Sequence, residues 1–238
     1  MKKTVAVLAN SIRRGCRCIA GREILKEGGK LIFGQWVRPV SPQGEGEVHP
    51  HESAFPDGTQ PAVLDAVELT LMAPQARVCQ PENFLIAPSH RWRRLGTIPA
   101  RSLLKIEEHP PHLWLQRAGQ HTDRISSRLA LRSLRPFQSL YLIRPANLRF
   151  RIWEAEEEFR DHPHRNRRAL FTYAGTEYNL PITDPTMDSR YFQSFPALDQ
   201  PPREIACRSP ASCLLVVSLA PPFKDGYHYK VVATVLEY

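Results

Sequence analysis

Arginine side chains close to aromatic ones are the residues of this sequence with the clearest potential chemistry. A guanidinium group donates paired hydrogen bonds to phosphate, and aromatic rings stack on unpaired bases. Arginines lie near aromatic residues at the amino terminus and in residues 91–94, and residues 124–135 contain four arginines without an aromatic residue. We therefore predict that the following residues bind nucleic acid: Arg13, Arg14, Arg17, Arg22, Trp36, Arg38, Arg91, Trp92, Arg93, Arg94, Arg124, Arg128, Arg132 and Arg135.

The arginines between residues 124 and 135 have a helical spacing. Thr122 and Asp123 are suitable N-cap residues, and no Gly or Pro interrupts the chain from Ile125 to Arg135. At about 100° per residue, the four arginines fall within an arc of about 80°. No carboxylate lies among them, whereas ordinary exposed helices mix charge signs. We predict a short basic helix between two domains, with an ordinary solvated helix face as the alternative.

The aromatic members of these clusters also have a structural explanation. Trp36 and Trp92 are large apolar residues that a small core readily takes up. The neighbouring arginines would then lie along the surface with their charged ends in water. Both interpretations stand at this point.

A second group of polar residues, in the last third of the chain, is predicted to meet near one barrel mouth as a ligand pocket. Two of them have structural alternatives. Asp184 precedes Pro185 and is suited to cap a turn, and Lys230 is suited to protect a strand edge from aggregation. The predicted pocket residues are Tyr173, Tyr178, Thr183, Asp184, Ser218 and Lys230.

Catalytic and metal-binding signatures are missing from the sequence. It contains no G-x-S-x-G elbow, P-loop lysine, H-E-x-x-H motif or dinucleotide-binding glycine pattern. The spacing Cys16-x-Cys18 is too short for a common zinc site, and the pair His49 and His51 falls in a predicted loop. We predict no catalytic residue, no metal and no cofactor.

The charge is positive and unevenly distributed. The formal net charge is +8, and residues 1–40, 41–90, 91–151 and 152–238 carry +7, −6, +10 and −3. Blocks of positive charge concentrate the potential that attracts a phosphate backbone, so nucleic acid is the expected partner. A generic basic surface is the alternative.

The composition predicts a cytoplasmic protein without membrane contact. No apolar run reaches the roughly 20 residues that a membrane-spanning helix needs. The apolar start at residues 4–9 is too short for a signal peptide and is interpreted as a buried first strand. Five scattered cysteines argue against a secreted disulfide scaffold.

The elements that must position these residues are predicted to be short β-strands. Proline is frequent, with 22 residues against 12 glycines, which favours many strands joined by rigid turns. Alternating or continuous apolar runs predict strands at residues 4–9, 64–72, 139–143, 213–219 and 229–236. We place an amino-terminal domain at residues 1–118, a linker helix at 119–136 and a carboxy-terminal domain at 137–238.

Short motifs occur in one order along nearly the whole chain. They are Lys3–Ser11, Cys18–Gly21, Trp36–Ser41, Gln80–Phe84, Leu140–Ile143, Phe171–Tyr173, Ile182–Pro185 and Tyr229–Ala233. Together they resemble the bacterial dual OB-containing domain family. The resemblance implies a mainly β fold of two tandem small OB-like β-barrels, to which the arginine spacing adds a short inter-domain helix. The open face and two loops of such a barrel suit single-stranded nucleic acid.

These features together predict a nucleic-acid-binding module for single-stranded DNA or RNA, dominated by contacts with the phosphate backbone. The first alternative is a scaffold or nucleotide-sensing accessory subunit in a bacterial anti-phage or mobile-element complex, with a protein partner. The second is a metal-dependent nuclease whose carboxylates converge from distant segments.

Overall fold

The chain forms two compact units built mainly from β-strands, in agreement with the predicted fold class. The computed structural model describes residues 1–13, 15–43, 46–77, 79–88, 90–114, 122–132, 138–156 and 162–238. Unit 1 comprises Met1–Glu107 and Ser133–Tyr141, and unit 2 comprises Glu108–Arg132 and Leu142–Tyr238. Among the residues described, no helix has the length and apolar character to cross a membrane.

The first unit contains a closed barrel. Its strands are β1 (Lys2–Arg13), β2 (Cys16–Glu27), β3 (Lys30–Val40), β4 (Asp65–Pro74), β5 (Asn83–Ile86) and β6 (Arg93–Thr97). The pairing order is β1-β2-β3-β5-β4, and β1 also pairs with β4, which closes five strands into a ring. Strands β3 and β5 are parallel, and β6 pairs with the first four residues of β4. A one-turn helix, α1 (Pro50–Ser53), lies between β3 and β4.

The core of the first unit follows from the alternation of side chains along its strands. In β4, Val67, Leu69 and Leu71 are at most 2% exposed, while the intervening Glu68 and Thr70 are half-buried. Period-two burial of this kind places one face of a strand in the barrel interior. The first strand is buried as predicted, with residues 5–9 at most 2% exposed.

The second unit consists of two four-stranded sheets. Its elements are β7 (Arg124–Ser126), α2 (Ser127–Arg132), β8 (Leu140–Ile143), β9 (Ala146–Ala155), β10 (His164–Tyr173), β11 (Thr176–Pro181), α3 (Met187–Arg190), β12 (Arg203–Ala206), β13 (Cys213–Pro222) and β14 (Tyr227–Glu237). The sheet orders are β11-β10-β9-β12 and β7-β14-β13-β8. A parallel bridge between Ile182 and Val232 connects the two sheets.

A tight hairpin turn lies between β10 and β11. Ala174 and Gly175 join β10 to β11 with φ values of +47° and +75°. Two successive residues with positive φ form the turn type whose twist matches that of paired strands. The turn fixes the register of β10 and β11, which carry part of the site described below.

The predicted basic helix begins later than expected. Residues 124–126 form β7, which pairs with β14, and within the described residues the helix covers Ser127–Arg132. Ile125 is 4% exposed and lies opposite His228, so cross-strand pairing and burial override the local helical pattern. Arg124 therefore does not share a helical stripe with Arg128 and Arg132. Residues 122–132 of the predicted linker lie in unit 2.

Candidate nucleic-acid interface

The outward face of the β9–β10 pair carries most of the candidate site. Leu148, Phe150 and Ile152 of β9 are at most 4% exposed and face the core, so the alternate residues Arg149, Arg151 and Trp153 point outward. Residues opposite one another in an antiparallel pair share a face. The register therefore adds three residues of β10 to this outer sheet face, which comprises Arg149, Arg151, Trp153, Asn166, Arg168 and Leu170.

A cleft of about 350 Å³ opens on this part of the sheet. It lies beside a β-bulge in β9. Arg149 pairs with Leu170 and Ala146 pairs with Thr172, so β9 has one more residue than β10 between these two pairs. Asn147, in the bulge, has a φ of +53°, a conformation that asparagine tolerates better than most residues. The cleft is lined by Asn147, Arg149, Leu170, Phe171, Thr172, Glu177, Tyr178 and Asn179.

One carboxylate on the neighbouring strand β12 partners two arginines of the outer sheet face. Glu204 lies 3.3 Å from Arg149 Nε and accepts hydrogen bonds from Arg151. The hydrogen bond from Arg151 is the main cause that lowers the pKa of Glu204 below its ordinary value. All three side chains are 37–47% exposed, and ion pairs so open to water are weak. An incoming phosphate can replace Glu204 at little cost.

Arg168 is held more firmly than its neighbours. Its Nε donates a hydrogen bond of 2.8 Å to Asn179 Oδ1, and its Nη2 lies 3.8 Å from Asp123 Oδ2. Burial lowers the pKa of Arg168 from its ordinary value, which is far above neutrality. The guanidinium is thus a pre-oriented cation on the face of the sheet.

A second cluster lies at the turn between β13 and β14, and we call it the turn cluster: Arg124, Phe223, Tyr227 and Tyr229. The Arg124 guanidinium lies over the rings of Tyr227 and Tyr229, at 5.4 and 5.6 Å from their centroids. It donates a 3.1 Å hydrogen bond to the Tyr229 hydroxyl, the main cause that raises the pKa of Arg124. Phe223 packs edge-on against Tyr229 and is 53% exposed.

Asp123 connects the two clusters. One carboxylate oxygen lies 3.8 Å from Arg168 on the outer sheet face, and the other lies 3.6 Å from Arg124 in the turn cluster. The two cations are therefore neighbours across a single carboxylate. Together the clusters form a continuous surface of arginines and partly exposed aromatic rings within unit 2.

The predicted aromatic sites in unit 1 are corrected by the structure. Trp36 is 4% exposed and Trp92 is 2% exposed, and Trp92 belongs to the barrel core. Neither indole ring presents a face to a base, so the core interpretation of both residues is the right one. The side chain of Arg38 is only 12% exposed. It donates hydrogen bonds to Glu82 at 3.3 Å and to Ser139 at 2.7 Å.

Several of the other predicted arginines have partners within unit 1. Arg22 lies over Trp36 and donates to the Gly34 carbonyl, while the backbone of Arg17 pairs with that of Val48. Arg93 pairs with Glu68, and Arg94 pairs with Asp65 and lies 4.6 Å from the centroid of the Phe55 ring. Arg91, Arg128 and Arg132 are exposed. Arg14, Arg135 and the side chain of Arg13 lie outside the described residues.

The predicted second-domain pocket does not form as a unit. Tyr173 donates to the Pro110 carbonyl and Tyr178 accepts from the Leu113 amide, while Thr183 pairs with Val232 through its backbone. Ser218 is 7% exposed. Of the six residues only Tyr178 lines the cleft.

Asp184 and Lys230 have structural surroundings. Asp184 is 3% exposed and accepts hydrogen bonds from the amide and hydroxyl of Thr186, which is the predicted turn-capping alternative. Lys230 is fully buried, with Nζ 5.5 Å from the centroid of the Tyr178 ring. Burial lowers the pKa of Lys230 from 10.5 to about 8.

The buried Lys230 predicts a pH-dependent stability. Between pH 8 and 10.5 the folded chain releases a proton that the unfolded chain retains, so stability rises with pH in this window. The contribution of this residue amounts to about 3 kcal/mol across the window. We expect urea unfolding from about pH 7.5 to 10.5 to show this rise in the wild type relative to Lys230→Met. The exposed neighbour Lys224 supplies the control, since Lys224→Met should keep the wild-type profile.

Most of the site consists of residues outside the sets predicted from the sequence. Arg149, Arg151 and Trp153 alternate with buried residues in the segment 148–153, a one-sided basic pattern typical of a strand with a charged outer face. Phe223 and Tyr227 flank the Lys224-Asp225-Gly226 turn.

The described residues contain no group of three side chains that could bind a metal ion. The pair Cys16 and His49 in unit 1 is close, with Sγ 3.4 Å from Nδ1.

The topology defines the class of protein. A closed five-stranded barrel with Greek-key connections, followed by a second unit of two sheets joined by a parallel bridge, is an arrangement of two OB-type domains. The family model described as dual OB-containing domain matches residues 3–235. The chain therefore belongs to the dual OB-containing domain family, as its motifs predict. A search of curated proteins gave no match.

Proposed function

We propose that this protein binds single-stranded nucleic acid through the outer sheet face and turn cluster of its second OB unit. One observation carries the proposal: three guanidinium groups, those of Arg149, Arg151 and Arg168, share a sheet face with the half-buried indole of Trp153. Arginines bind the phosphates of a strand, and an aromatic ring stacks on its bases. The combination suits a polyanion whose bases are unpaired.

The position of the site within the fold supports the same function. OB domains bind oligonucleotides on the face of their second and third strands and on the loops after the first and fourth. In unit 2, β10 and β11 correspond to the second and third strands, and the β13–β14 turn corresponds to the loop between the fourth and fifth. The cleft and the turn cluster occupy these two positions.

The electrostatics favour exchange of Glu204 for phosphate. In the free protein a single exposed carboxylate serves both Arg149 and Arg151, so each arginine shares its counter-charge. A phosphodiester backbone supplies one charge per nucleotide, and its binding also releases condensed counterions. Two phosphates would thus replace one carboxylate, with a gain in entropy from the released ions.

Binding of labelled oligonucleotides tests the proposal. We expect single-stranded oligo(dT) and oligo(U) to bind the full chain, and the logarithm of the association constant to fall with the logarithm of salt concentration with a slope of about −2 or steeper. A duplex of equal length should bind more weakly, because its bases cannot stack on Trp153. Absence of binding at low salt would refute the proposal. Binding of mononucleotides alone would favour a nucleotide sensor instead, and degradation with Mg²⁺ would indicate a nuclease.

The aromatic contribution is separable from the phosphate contribution. We expect Trp153→Leu with Phe223→Leu to weaken single-strand binding by about thirtyfold or more, because each of the two stacked bases contributes about 1–3 kcal/mol. The salt slope should stay unchanged, since the arginines remain. Trp153→Phe with Phe223→Tyr preserves both rings and is the matched control, expected to retain most of the affinity. Equal losses in the two double variants would contradict a stacking role.

Glu204 is expected to restrain binding. Glu204→Gln removes the competing carboxylate but keeps the shape of the side chain, so single-strand affinity at low salt should rise about twofold to fivefold. Asp199→Asn removes an exposed carboxylate outside the cleft and the turn cluster and serves as a comparison for a change in net charge alone. An unchanged affinity in Glu204→Gln would place the nucleic acid away from Arg149 and Arg151.

A further inference from the structure

Two cysteines outside the proposed binding surface lie together in unit 2. Cys207 directly follows β12, and Cys213 begins β13, so a five-residue loop separates them. Both thiols are free, with Cys207 7% exposed and Cys213 fully buried. Cys213 lies directly opposite Glu237 in the β13–β14 register, and the Cys207 sulfur lies 3.9 Å from Glu237 Oε1. Residues opposite one another in an antiparallel pair share a face, so the two cysteine side chains lie beside the same glutamate.

The surroundings of this pair are polar and ordered. Cys207 Sγ lies 3.9 Å from the Tyr191 hydroxyl and 3.9 Å from Glu237 Oε1. Glu237 in turn pairs with Arg190 at 2.6 Å, and the Arg208 guanidinium lies over the Tyr191 ring at 4.8 Å. The carboxylate of Glu237 therefore lies beside the Cys207 sulfur. The guanidinium groups of Arg190 and Arg208 lie one contact further away, on Glu237 and on the Tyr191 ring.

The pKa values of the two thiols are shifted in opposite directions. The hydrogen bond from Cys213 is the main cause that lowers the pKa of Cys207 to about 6, and the same hydrogen bond raises the pKa of Cys213. In contrast, burial raises the pKa of Cys79 in unit 1. An easily ionised thiol near a second, less acidic thiol has the arrangement of a nucleophile beside a resolving group.

We propose that Cys207 and Cys213 form an oxidisable dithiol that hydrogen peroxide converts into an intramolecular disulfide. The Cys207 thiolate attacks one peroxide oxygen, the O–O bond breaks, and hydroxide leaves, which gives a sulfenic acid. The Cys213 sulfur then attacks the Cys207 sulfur, the S–O bond breaks, and a second hydroxide leaves. The two thiol protons convert these hydroxides to water, so two thiols and one peroxide yield one disulfide and two waters.

Peptide mapping of the intact wild-type chain tests the proposal without any substitution. Trypsin cleaves after Arg203, Arg208 and Lys224, so Cys207 and Cys213 fall in separate peptides. After brief exposure to stoichiometric peroxide, alkylation and digestion, we expect these two peptides to appear linked, two hydrogens lighter than their sum, and to separate on reduction. Alkylated thiols at both positions, or a link from Cys207 to Cys16, Cys18 or Cys79, would overturn the proposal.

A second measurement addresses the roles of the two sulfurs. The rate of alkylation of Cys207 should rise with pH with a midpoint near its pKa of about 6, and Cys213→Ala should move that midpoint upward. The variant should also stop at the sulfenic acid, which dimedone traps. A midpoint in Cys213→Ala equal to that of the wild type would contradict contact between the two sulfurs. Cys79→Ala is the matched control and should leave the midpoint and the linked peptides unchanged.

Discussion

The triple variant Arg149→Gln/Arg151→Gln/Arg168→Gln is expected to weaken single-strand binding by about a thousandfold at low salt. Each of the three guanidinium groups can make a charge-assisted hydrogen bond to phosphate, and such bonds contribute about 1.5 kcal/mol each. The slope of log affinity against log salt should become shallower by about 2, because about 0.7 of an ion is released per phosphate contact. Fluorescence anisotropy across a salt series measures both quantities.

The control for this variant changes charge equally on the other unit. Arg77→Gln/Arg101→Gln/Lys105→Gln removes three exposed cations from unit 1 and should lower affinity only slightly. Matching circular dichroism spectra and melting temperatures would establish that both triple variants are folded. Equal losses of affinity in the two variants would show that binding depends on net charge rather than on the outer sheet face.

The substitution Glu82→Ala is expected to destabilise unit 1 by about 3–5 kcal/mol. Glu82 is 6% exposed, and its carboxylate accepts hydrogen bonds from Arg38 and from the hydroxyl and amide of Ser139. Its removal leaves the Arg38 guanidinium, 12% exposed, without its carboxylate in a poorly hydrated site. Urea unfolding monitored by tryptophan fluorescence reports the loss, since Trp36 and Trp92 are buried in the same unit.

Replacement of both charged partners distinguishes an uncompensated charge from lost packing. In Arg38→Met/Glu82→Leu no buried charge is left, so we expect most of the lost stability to return. Glu27→Ala removes an exposed carboxylate from the same unit and should change stability by less than about 0.5 kcal/mol. If the double variant were as unstable as Glu82→Ala, the charge of Arg38 would not be the cause.

The mainly β architecture was predictable from local patterns. Continuous and alternating apolar runs identified the first strand, β4 and the two closing strands β13 and β14, all of which are present. These features depend on residues close together in the chain.

The identity of the surface arginines was not predictable in the same way. Arg38 and Arg149 both lie in strands and both pair with a glutamate, yet one is internal and the other is exposed. The difference arises from Ser139 and Glu82, which lie 101 and 44 residues from Arg38 in sequence. Arg124 shows a similar effect, because pairing of β7 with β14 moves it from a predicted helix to the side of Tyr229.

The sequence alone thus determined the strand-rich composition, the positive charge blocks, the tight turns and the family motifs, because each is a property of neighbouring residues. Only the tertiary structure decided which tryptophans are interior and which arginines face outward together. Trp92 entered the barrel core while Trp153 faced outward beside Arg151, although both tryptophans have arginines within two residues. The face that a strand residue presents depends on the register of its partners and on what covers each side of the sheet, and both are set by contacts between distant segments.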